Sequence, residues 1–169
     1  MCSRSTSIVP WRPRQPCRRA NRRGRRTIHA TPSHRRASCR PDVSDHTGIC
    51  YLRSEIRMAH ISDGKPHTYM LGEKYINTRD YHSGLDHGDD WSMYTGYQDD
   101  ICRTAFLAPL GDAEAEESTR FGSAHPHTWN AAFCDGSVRA ISFEINVFVH
   151  QRLGNRADGG VTDDIELAR

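Results

Sequence analysis

From Gly48 onward, apolar and polar residues alternate in short runs. Cys50, Leu52, Ile56 and Met58 fall on one parity and Tyr51, Arg53, Glu55 and Arg57 on the other, the period of two that marks a half-buried strand. A strand, or a bent pair of strands, is therefore expected over residues 49–60. Asp63-Gly64 supplies a turn, because glycine accepts positive φ and aspartate hydrogen-bonds its own backbone. Thr68 to Glu73, β-branched and aromatic at its start, predicts the next strand. Residues 77–90 are rich in Asn, Asp, His and Gly and show no apolar period, which predicts a long loop. Residues 91–97 read as a further short strand and residues 112–117 as an exposed acidic loop.

The sharpest local signal comes last. Two strand-like runs, 129–134 and 137–143, flank Asp135-Gly136, and Asp-Gly suits the type I′ turn whose twist matches paired strands. A two-residue hairpin follows, with Phe133 facing Val138 and Ala131 facing Ala140 in its simplest register. Val147, Phe148 and Leu153 then sit at near-helical spacing, with Gly154 as a stop signal, so a short helix is expected over residues 146–153. Together these elements predict an α+β fold, mainly antiparallel β with hairpins and a short C-terminal helix, preceded by a disordered N-terminal tail.

Charge sharpens that division. The first 41 residues hold twelve Arg, no Lys and no acid, while the rest of the chain carries all 21 acids against eleven bases, a net of −10. A segment so poor in apolar residues cannot offset the entropy of folding. Residues 1–45 are thus expected as an Arg-rich disordered tail, and residues 46–169 as the folded domain. Arg without Lys is unusual for a nucleic-acid arm, where phosphate neutralisation needs only positive charge. It also matches a GC-rich frame translated from too early a start. The longest uncharged run, Phe121 to Cys134, spans 14 residues and contains two His, an Asn and a Pro, short of the roughly 20 apolar residues of a membrane span. No apolar signal-peptide middle follows the N-terminal positive charge.

The folded part holds three cysteines, Cys50, Cys102 and Cys134, and no C-x-x-C. Zinc-ribbon and thioredoxin readings lose their spacing support, and at most one internal disulfide is allowed. Cys50 with Cys102 is conceivable in an oxidising compartment, and three buried thiols are the other reading.

Candidate chemistry is sparse. The densest cluster is His82, Asp86, His87, Asp89 and Asp90. Oxygen-rich loops can hold Ca2+ and His favours transition metals, but the spacing is neither an EF-hand nor H-E-x-x-H, and a solvated polar loop is preferred. His125 and Asp135 are separated by a strand, which at about 3.3 Å per residue holds them far apart; a structural role is expected for both. Glu73 is expected to pair with an arginine such as Arg57 or Arg139. Ser123 and Ser137 lack the G-x-S-x-G elbow, and no phosphate-binding glycine loop occurs. Trp91, Tyr94, Tyr97 and Trp129 offer either a binding surface or core packing, with core packing the default.

Phe121-Gly122-Ser123-Ala124-His125-Pro126, then Asn130, Phe133 and Asp135-Gly136-Ser137-Val138, with nine residues between His125 and Asp135, resembles the H-x9-DG signature of prepilin-like proteins carrying domain of unknown function 1559. Ile61-Ser62-Asp63-Gly64 through Thr68 to Gly72-Glu73 resembles the same family's I-T/S-D-G-T-S-N-T-x-x-x-G-E segment. Leu153-Gly154-Asn155-Arg156 with Asp158-Gly159 resembles its closing L-x-N-R-x-D-G. Lys65-Pro66-His67 and His127-Thr128-Trp129 depart from the family's usual residues.

The resemblance implies a cell-envelope protein whose G-F-T-L-x-E start and apolar helix anchor and assemble the subunit. Residues 1–41 stand where that start would be, so the chain reads as a fragment or as the product of a mispredicted start. The resulting expectation is a noncatalytic pseudopilin-like domain, acting by self-assembly or by binding protein partners, with His125, Asp135, Gly136, Asp63, Gly64 and Glu73 in structural roles and no small-molecule cofactor. A metal-binding domain or metal-dependent enzyme using Asp86, His87, Asp89 and Asp90, with Ca2+ as the ion, is the alternative. Nucleic-acid binding through the tail is the lesser one.

Overall fold

The computed structural model describes residues 7, 8, 43 and 45–159. The expected tail, residues 1–45, lies almost entirely outside the described residues. The strands are β1 (Ser7–Ile8), β2 (Tyr69–Gly72), β3 (Cys102–Arg103), β4 (Leu110–Gly111), β5 (Gly122–Ser123), β6 (Thr128–Phe133) and β7 (Val138–Ser142), followed by one helix, α1 (Val147–Leu153). The central sheet is antiparallel in the order β2-β6-β7; β1 with β3 and β4 with β5 form small parallel pairs. The fold is α+β and β-rich, as the pattern predicts. Among the described residues no helix is long and apolar enough to cross a membrane.

The β6-β7 hairpin forms where expected but turns differently. The Gly136 N–H donates to Phe133 O and the Phe133 N–H to Ser137 O. Gly136 has φ 88°, while Asp135 is not among the positive-φ residues. A type I′ turn needs positive φ at both central residues, so the connection is instead the three-residue loop in which a left-handed glycine closes a bulge. The added residue moves the pairing by one: Ala132 faces Val138, Ala131 faces Arg139 and Trp129 faces Ile141. Because side chains alternate with a period of two, that step decides which face each residue takes. Trp129, Ala131, Phe133 and Ile141 are buried and Val138 is exposed. Arg139, placed on the inner face, lays its guanidinium 4.2 Å over the Phe133 ring.

The core is aromatic. Tyr69, Phe121, Trp129, Phe133, Ile141 and Leu153 are buried together with Ala105 and Ala131. Phe121 stacks on Trp129 at 4.9 Å, and Tyr69 meets Trp129 edge-on at 5.4 Å. Gly72 lets this stack close: a Cβ there would lie 2.5 Å from the Trp129 ring and 2.8 Å from Phe121. α1 covers the cluster with Leu153 and His150. Its N-terminus is capped by Asn146, whose side chain accepts the Phe148 N–H at 2.9 Å, satisfying a donor that the first helical turn leaves open.

Two expected strands are absent. Residues 49–60 contain turns and a 3-10 turn at Met58–His60, with Arg53 at positive φ. The alternation there does not correspond to burial, for Leu52 and Met58 are exposed. Residues 91–97 hold a 3-10 turn, Met93–Thr95, begun by the Ser92 side chain, and Trp91, Tyr94 and Tyr97 are exposed. With no partner strand to bury one face, neither pattern has a sheet to join.

Candidate functional site

Glu73 is the pivot of the first polar cluster. β2 pairs with β6 up to Gly72, and the chain then swings away so that the Gly122 N–H donates to Glu73 O at 3.0 Å. The Asn130 N–H on β6 would lose its acceptor at this point. The Glu73 carboxylate supplies one, accepting from Asn130 N at 2.7 Å and from Asn130 Nδ2 at 3.2 Å. His125 Nε2 lies 3.4 Å from the same carboxylate and 3.4 Å from Asn130 Nδ2. Glu73 therefore pairs with His125 and Asn130, not with Arg57 or Arg139 as the sequence suggested. Ser123 holds the loop that presents His125: its hydroxyl donates to Thr128 O at 2.8 Å and accepts the His125 N–H at 3.1 Å.

A second cluster joins the two DG blocks. The Asp63 carboxylate accepts the backbone N–H groups of Asp158 and Gly159 at 2.7 and 3.0 Å, while the Ser62 and Asp63 N–H groups donate to Arg156 O. The Arg156 guanidinium donates to His46 O at 2.8 Å and Gly48 O at 2.6 Å. Gly64, at φ 96°, makes the turn into the 3-10 segment Lys65–His67. The opening, middle and closing segments of the domain are thereby knotted by one aspartate and one arginine.

Asp135 belongs to neither cluster. Its carboxylate accepts from Ser137 N at 2.8 Å and Ser137 Oγ at 2.7 Å, which fixes the hairpin tip and holds the carboxyl below the usual carboxylate range. The structure thus gathers Glu73 and His125 with Asn130, gathers Asp63 with the 156–159 segment, and leaves Asp135-Gly136 at the hairpin turn.

The His/Asp loop is built differently from the metal-site picture. Asp86 is buried and accepts the Asn77 and Gly88 N–H groups, both at 2.7 Å. Asp89 accepts from Lys74 Nζ at 2.6 Å. His82, His87 and Asp90 point to the exposed surface. Lys74 is itself buried, and its ammonium is surrounded by Gly88 O at 2.6 Å, Asp89 Oδ1 at 2.6 Å and Asp100 O at 3.1 Å. The protein's own cation occupies the oxygen cage. Among the described residues, no group of three or more His, Cys, Asp or Glu is placed to hold a metal ion.

Arg103 completes this network. Its guanidinium is 1% exposed and donates to Gly88 O at 3.1 Å and Cys102 O at 3.3 Å, leaving Nε without a partner. Burial pushes its pKa down, against the opposing pull of Asp99, Asp86 and Asp100. Asp100, also buried, is pushed up chiefly by the same desolvation, with Lys74 pulling the other way. Sequence reasoning missed Lys74, Arg103 and Asp100. A signal existed for one of them: Arg103 is the only charge between Ile101 and Leu110, so burying that apolar run takes in a cation that needs partners.

A family model described as a protein of unknown function, DUF1559, matches residues 13–147. The chain belongs to this family. The match begins inside the Arg-rich segment and runs through β7 to the first residue of α1. The chain matches no curated protein and no solved structure.

Proposed function

We propose that this DUF1559 domain is a noncatalytic, pseudopilin-like module of the cell envelope that works by assembly or by binding a protein partner. The observation that carries the reading is where the motif residues spend their polar atoms. Glu73 serves the Asn130 N–H, Asp63 the Asp158 and Gly159 N–H groups, and Asp135 the Ser137 N–H. Each accepts a backbone N–H where the chain turns or changes partner, and for the half-buried Asn130 N–H such an acceptor is required. A general acid, base or nucleophile needs its atoms free for substrate, with its helpers converging on one point. The three motif carboxylates, Glu73, Asp63 and Asp135, bond to different parts of the chain, and of the motif histidine and carboxylates only His125 and Glu73 come together.

Fractionation of the native cells tests the proposal, with intact mass and N-terminal sequencing of the protein from the membrane and soluble fractions. The expected result is a species in the envelope fraction, longer at its start and carrying a methylated phenylalanine. A soluble species beginning at Met1 overturns the reading.

A further inference from the structure

Residues 80–102 carry six Asp and neither Lys nor Arg. The cations that hold this loop are buried beneath it: Lys74 and Arg103 both donate to Gly88 O, and Lys74 also holds Asp89. Above them the loop leaves three large aromatic side chains in water within seven positions. Trp91 is 62% exposed, Tyr94 89% and Tyr97 42%. Exposed aromatics scattered singly are ordinary, whereas three on one short loop mark an interaction surface. The segment that presents them is pinned. The Trp91 N–H donates to the buried Asp100 carboxylate, the Ser92 hydroxyl accepts the Tyr94 N–H at 3.3 Å, and the Thr95 N–H and hydroxyl donate to Ser92 O at 2.9 and 2.7 Å. At its far end the Cys102 N–H donates to Gln98 O at 3.0 Å. A surface ordered in advance gives up less entropy on binding. Asp90 and Asp99 flank the aromatic run; both are exposed, and among the described residues neither makes a hydrogen bond or a salt bridge.

We propose that the surface of residues 90–99 docks an arginine-rich segment of a protein partner. Charge and ring chemistry together decide the occupant. A carboxylate surface with no exposed basic residue of its own repels anionic partners and attracts a cationic one. Guanidinium is the cation that also suits the rings, because it is planar and weakly hydrated, stacks on Trp and Tyr faces, and pairs with a carboxylate through two parallel hydrogen bonds. A lysine ammonium answers the charge but does not stack. A neutral glycan would use the rings and leave Asp90 and Asp99 without a counter-charge. The proposal rests on the reading of the domain as a binding module and names the chemistry of its partner.

The test titrates the full chain into a fluorescein-labelled synthetic peptide of alternating Arg and Gly, read by fluorescence anisotropy, with the matching Lys and Gly peptide as the comparison. The Arg peptide is expected to bind several-fold more tightly than the Lys peptide, and more weakly as salt is raised. Tyr94→Ala should weaken Arg-peptide binding roughly threefold, and Trp91→Ala with Tyr94→Ala about tenfold, while the urea midpoint stays in place because the removed rings are exposed. Asp90→Asn with Asp99→Asn should flatten the salt dependence. Absence of binding, equal binding of the two peptides, or binding unaltered by the ring variants overturns the proposal. Tighter binding of a neutral chitin oligosaccharide, lost with the same rings, also overturns it and makes the surface a glycan site. The envelope assignment is decided separately by fractionation: a soluble species beginning at Met1 leaves the peptide result standing, and a failed titration leaves an envelope species standing.

Discussion

The domain has two interiors of opposite chemistry. Beneath β6 and α1 lies a cluster of Tyr69, Phe121, Trp129, Phe133, Ile141 and Leu153; under the 77–101 loop lies a network of Lys74, Asp86, Asp100 and Arg103, all nearly inaccessible to water. The first gains stability from apolar area removed from water and tolerates imprecise geometry. The second recovers the cost of desolvating its charges only while every partner is in place. The aromatic half should therefore respond to lost volume, and the ionic half to any single lost partner.

Trp129→Ala is expected to give the largest effect, a loss of roughly 3 to 5 kcal/mol, because the ring contacts Phe121, Tyr69 and His150 at once. Urea unfolding followed by circular dichroism measures it, and a loss below about 1 kcal/mol would show that the stack does not carry the core. Lys74→Met keeps the stem but removes the ammonium from its three oxygen acceptors. A loss of roughly 3 to 4 kcal/mol is expected. Hydrogen exchange should locate it in residues 77–101 while the β6-β7 amides stay protected; uniform loss of protection would show that the two interiors are one cooperative unit.

His150 provides a pH probe of the aromatic half. Burial lowers its pKa from 6.5 to about 4, and its Nδ1 lies 3.3 Å from the Tyr69 hydroxyl. A folded-state value below the unfolded one means that the unfolded chain binds the proton first. The domain keeps its full stability above pH 6.5 and loses it progressively as pH falls toward 4, by about 2 to 3 kcal/mol. His150→Phe should flatten this slope, and an unchanged slope would assign it to other groups. Gly72→Ala should cost about 2 kcal/mol by pushing a methyl into the Trp129 and Phe121 rings, and near-edge Trp fluorescence during thermal unfolding reports it.

The contrast also explains what could be read in advance. The hairpin, the strand from Thr68 and the helix from Asn146 were legible because apolar burial leaves a period in the sequence and turn or cap residues mark its ends. The hairpin register escaped by one residue, since Asp-Gly serves both a two-residue type I′ loop and a three-residue loop closed by a left-handed glycine. Alternation at residues 49–60 misled because period alone does not say whether a partner strand exists. The ionic interior was illegible for a different reason: Lys74, Asp86, Asp100 and Arg103 meet through a long loop, and no spacing rule connects them. Glu73 was expected to pair with an arginine, but its partners, His125 and Asn130, come from another strand and the loop before it.

The central claim is that the motif residues brace the chain. Glu73→Ala tests it most directly, because that carboxylate, just past β2, meets both Asn130 on β6 and His125 in the loop before it. Urea unfolding should show a loss of about 1.5 kcal/mol, the worth of a hydrogen bond to a charged group, with the Asn130 amide deprotected. An unchanged midpoint with the Asn130 amide still protected would contradict it.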